Sequence, residues 1–61
     1  MSKYIYSVLY WVDGVGLIRS VSTLSHMIDS DEIIKLLEED YSKRVGRESM
    51  LLTFTLLNLE D

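Results

Sequence analysis

Residues Ile28 to Gly46, IDSDEIIKLLEEDYSKRVG, most limit what this chain can fold into, because they spell one amphipathic helix and the chain offers no second. Asp29 is the expected N-cap, with Glu32 three residues later placed to reach back as in a capping box. Ile28 and Ile33 have the spacing of a hydrophobic staple. Ile33, Ile34, Leu37, Tyr41 and Val45 share one side at helical spacing, widened by Leu36, while Asp31, Lys35, Glu39 and Lys43 alternate in sign along the other. Acids at the start, bases at the end and Gly46 as a left-handed stop complete the pattern. A helix over about 30–45 is roughly 24 Å long, the length of a seven-residue strand. It can cover one sheet face and no more.

Three strand-like runs flank it. Tyr4 to Val12 is aromatic, β-branched and uncharged. Asp13-Gly14 then suits a two-residue type I′ turn, which would return the chain antiparallel through Leu24. That register pairs Tyr10 with Leu17 and Tyr6 with Val21, and a bulge at Gly16 would shift every pair by one. In the last run, alternation puts Met50, Leu52, Phe54 and Leu56 on the helix side, and Leu51, Thr53, Thr55, Leu57 and Leu59 on the other. The expected fold is α+β: a two-layer ββαβ domain spanning residues 1–61, with strands at about 3–12, 16–25 and 49–59. The first strand, apolar on both faces, belongs in the centre of a three-stranded antiparallel sheet of order 2-1-3, with the helix packed on one face.

One helix leaves one face over. The first strand offers Tyr4, Tyr6, Val8, Tyr10 and Val12 on one side and Ile5, Leu9 and Trp11 on the other, and neither set suits water. The last strand is also a long, uncharged, proline-free edge. These features predict a homodimer through that face or that edge. The residues expected to meet a partner or a second copy are Tyr4, Tyr6, Tyr10, Trp11, Thr53, Thr55 and Leu57, with Asp31, Glu38 and Glu39 as an acidic helix surface.

Composition narrows the rest. A 61-residue chain with no cysteine and one histidine has neither a disulfide nor a zinc-finger staple, so association is the remaining stabilising device. Missing cysteine, the lack of a signal-peptide pattern after Met1 and the lack of an apolar run of membrane-spanning length lead us to expect a cytoplasmic protein. Residues 1–28 hold Lys3, Arg19 and Asp13, net +1, whereas residues 29–61 hold nine acids against four bases, net −5. No basic stripe can be drawn, which disfavours phosphate and nucleic acid.

The candidate chemistry is thin. Ser25, His26 and Asp29 lie too close in one connection to form a nucleophilic triad. Asp29, Asp31 and Glu32 lack calcium-loop spacing, and Gly14-Val15-Gly16 leads into a strand, not a helix N-terminus. We expect no enzyme, no cofactor and no metal.

The order of YIYSVLYW, VDGVG, DSDEIIKLLEEDY and LLTFTLLNL resembles small uncharacterised phage and prophage accessory proteins of Gram-positive bacteria. The resemblance implies a stoichiometric role, binding and blocking a host or defence protein. The expected function is therefore a non-enzymatic protein-binding module. Its rivals are a nucleic-acid or nucleotide binder using the aromatic face, and a structural subunit of a larger assembly.

Overall fold

The computed structural model describes residues 2–61 and has the order β1 (Lys3–Val12), β2 (Gly16–Leu24), α1 (Asp31–Val45) and β3 (Ser49–Glu60). The strands form one antiparallel sheet in the order β2-β1-β3, and α1 lies across one face, as the sequence predicts.

The hairpin tip is not the expected type I′ turn. Val15 N–H donates to the Val12 carbonyl at 3.0 Å, Gly14 has φ +76°, and no described non-glycine residue has a positive φ. Asp13 therefore cannot fill the first central position of a type I′ turn, and the tip follows the type II pattern, with glycine at the second. Gly16, at φ +108°, takes the place of Val15 opposite Val12. Every pair moves by one residue, so Tyr10 faces Ile18 and Tyr6 faces Ser22. A shift of one exchanges faces along the whole strand: Leu17, Arg19 and Val21 turn away from the helix.

The simple alternation expected of β3 fails at two bulges. The register with β1 slips between Ile5 and Tyr6 and again between Leu9 and Tyr10, leaving Leu57 and Leu52 as the extra residues. The β3 residues opposite Tyr4, Tyr6, Val8 and Tyr10 on the helix side are thus Leu59, Leu56, Phe54 and Leu51, and Met50 falls on the other side beside Trp11.

The core is small. Tyr6, Val8, Tyr10 and Val12 of β1 are buried with Ile28, which leads into the helix, whereas no α1 residue is fully buried. The Tyr10 ring stacks on Tyr41 at 4.0 Å between centroids, and Phe54 meets Tyr6 edge-on at 5.7 Å. Ile28 N–H donates to the Tyr6 hydroxyl at 3.0 Å, which satisfies that phenol inside the core. This anchor holds the chain extended for longer than expected, and the N-cap is Ser30, not Asp29. Ser30 Oγ accepts from Ile33 N–H at 3.4 Å. Gly46 ends the helix at φ +70°, its N–H donating to the Ser42 carbonyl at 2.9 Å.

Candidate interaction surface

Directly opposed residues in an antiparallel sheet point to the same side, so the two registers define the uncovered face row by row. Leu17, Trp11 and Met50 make the first row; Arg19, Leu9 and Thr53 the second; Val21, Ser7 and Thr55 the third; Thr23, Ile5 and Asn58 the last. Among the described residues, none forms a second layer over it. Trp11 is 48% exposed and Leu17 63%, although both are large and apolar. Arg19 is the one charge within these rows, and its guanidinium lies across the sheet to donate from Nη1 to Ser7 Oγ at 2.8 Å. That contact explains how Ser7 comes to be buried on an otherwise open face.

The residues expected at an interface divide between the two sides. Trp11, Thr53 and Thr55 do come together on the open face, and Leu57 sits at a bulge of the β3 edge. Tyr4, Tyr6 and Tyr10 lie beneath the helix; Tyr6 and Tyr10 are buried core residues, and Tyr4 packs against them. This removes the tyrosine row from the free surface, because the helix chose that side of β1. Leu17, Val21, Met50 and Arg19 belong to the open face and were not expected there. Gly16 after Asp13-Gly14 is the signal that points to Leu17, Arg19 and Val21, since a second positive-φ glycine shifts the β2 register, whereas Met50 changes side through the β3 bulge at Leu52.

Asp31 and Glu39 are exposed on the helix, but Glu38 is not a free acid: its Oε2 accepts from Leu51 N–H at 2.7 Å. One turn later, Ser42 Oγ accepts from Ser49 N–H at 3.0 Å. The helix thus holds the first residues of β3 by their amides. Burial pushes the Tyr10 phenol above its usual range, with further push from Tyr41 and Asp40, while Arg44 and the Ser22 hydroxyl pull the other way.

Ser25, His26 and Asp29 are all exposed in the β2–α1 connection, and no described group of three acids or histidines is placed to hold a metal ion. No described helix is long and apolar enough to cross a membrane. Comparison with protein-family models, curated proteins and solved structures found no match.

Proposed function

We propose that this chain is a non-enzymatic protein-binding module, self-associating, that acts by occupying a partner's surface with its open sheet face, in the manner of a phage-type inhibitor of a bacterial host or defence protein. The observation that carries this reading is the exposed row of Leu17, Trp11 and Met50, continued by Val21 and backed by no second layer. Large apolar residues gathered on one side of a small domain mark contact surfaces, and tryptophan is among the residues that dominate their energetics. Arg19 in the middle of the face calls for a carboxylate on whatever covers it, so the partner surface is apolar with an acidic centre. A base-stacking role draws no support from Tyr6 and Tyr10, which are buried.

The test is site-specific photo-crosslinking in a bacterial host. Probes at Leu17 and Met50 should give one discrete heterologous adduct, and a probe at Lys35 on the helix exterior should give none. Trp11→Ala with Arg19→Glu should abolish the adduct while the fold, read by circular dichroism, persists. Adducts of equal strength from Lys35, or an adduct indifferent to the double substitution, would contradict the assignment of the face.

A further inference from the structure

β3 is the sheet's long outer edge, and it is not uniform. Its first residues are engaged by the helix: Ser49 and Leu51 donate their amides to Ser42 and Glu38. Beyond them, Leu52 to Leu59 carries no charge and no proline. The bulges at Leu52 and Leu57 bound a regular stretch, Thr53 to Leu56, which pairs residue for residue with β1 on its inner side. Folded proteins protect such an edge with charges, proline or a covering element. The opposite edge, β2, has Arg19 and alternating serines; here there is no equivalent. On the helix side of β3, Leu56 in this stretch and Leu59 beyond the second bulge are about half exposed.

We infer that two copies of this chain join edge to edge, β3 against β3 and antiparallel, about a two-fold axis at Thr55, making one continuous sheet with both helices on the same face. The inference deepens the self-association in the proposed function and rests on that part of it. A second copy fits this edge because the stretch is its own complement. Pairing about Thr55 sets Phe54 opposite the second copy's Leu56, and Thr53 opposite the second copy's Leu57. No charge meets a charge, and Glu48 and Glu60 fall outside the ladder. Side chains opposite one another share a face, so the second copy's Phe54 covers Leu56 and the helix-side core continues across the axis. Centring on Phe54 instead would push the pairing toward the start of β3, where Glu38 already holds Leu51. The ladder is short because bulges twist an edge and limit pairing.

Such pairing leaves the Trp11 face of each copy free, and the two faces become one wider surface. Self-association and partner binding then use different parts of the molecule.

Cysteine scanning tests the geometry directly. The chain has no cysteine, so a single introduced thiol can bridge only two copies. Residues at the axis approach to about 4.5–5.5 Å between Cα atoms, within disulfide reach, whereas the two copies of Thr53, two residues from the axis, are separated by roughly four strand steps, about 13 Å, and those of Asn58, three residues from it, by roughly six steps, about 20 Å. Thr55→Cys should therefore form a disulfide dimer on mild oxidation at least tenfold faster than Thr53→Cys or Asn58→Cys. Thr55→Lys, which sets two ammonium groups side by side, should weaken the dimer at least tenfold with an unchanged circular dichroism spectrum. A wild-type chain that stays monomeric at high concentration would overturn the inference, as would Trp11→Cys or Leu17→Cys bridging faster than Thr55→Cys. Loss of edge bridging with the Leu17 photo-adduct intact refutes the edge pairing alone. The converse refutes the partner reading alone.

Discussion

Two residues show how much of this fold rests on single side chains. At Gly14, the backbone needs a positive φ, and a Cβ would also run into the Arg47 guanidinium, which reaches over the tip to donate to the Asp13 carbonyl at 3.2 Å. Gly14→Ala should cost about 1–2 kcal/mol from the left-handed backbone alone. The Arg47 end can swing aside, so the excess over Gly46→Ala, where nothing lies within contact distance of the added carbon, should be no more than the lost Arg47–Asp13 contact, and paired urea titrations would measure it. Tyr10 makes the second case. Its phenol is raised above its ordinary 10.0, chiefly by burial, so the neutral form is favoured in the folded state. Its contribution is fully present below the unfolded value and is lost as pH rises from about 10 through the folded value. Tyr10→Phe should flatten the fall in stability as pH rises above about 10, read from thermal melts across that region. A variant losing stability as steeply as the wild type would show that the buried phenol is not the group responsible.

Among the elements, α1 was the most legible because its signals are local: periodicity, acid-to-base polarity and a glycine stop need only neighbours along the chain. Its N-cap was not. The choice of Ser30 over Asp29 is set by the Ile28 amide and the distant Tyr6 hydroxyl, a contact no local pattern contains. Removing that cap with Ser30→Ala should lower stability by about 1 kcal/mol, whereas Asp29→Ala should leave it almost unchanged. Strand order was legible from the doubly apolar β1, but faces were not, because each depends on counting by twos. One extra residue at Gly16 and one at each β3 bulge reassigned Leu17, Arg19, Val21, Met50 and Leu51 between core and open face. The sequence separates Trp11 from the tyrosines because they alternate along β1, but it leaves open which of the two sides α1 takes, so both sets stand as interface candidates until the helix is seen to cover Tyr6 and Tyr10. Glu38 reads from sequence as one more solvated acid, and its bond to Leu51 N–H makes it the tie between helix and edge strand. Glu38→Ala should cost about 1–2 kcal/mol and speed amide exchange at Leu51.

The whole molecule is more elongated than a compact chain of its size. Its radius of gyration is 11.5 Å, against about 10.5 Å expected, and its extents are 37 × 19 × 17 Å. Its accessible surface is 4440 Å², above the roughly 4,100 Å² typical of this mass. The excess follows from the topology: one helix against three strands covers a single side, and the other side and the β3 edge stay bare. In the function proposed above, protein contact would supply the missing layer, with the edge serving self-association and the Trp11 face serving a partner. The most direct measurement is sedimentation equilibrium over a concentration series, with Trp11 emission followed in the same samples. The account predicts a concentration-dependent dimer whose Trp11 emission stays red-shifted and unchanged as the dimer dissociates, because the axis at Thr55 lies away from the Trp11 row. A dimer whose emission is blue-shifted and reddens on dilution would place Trp11 inside the self-association interface and contradict it.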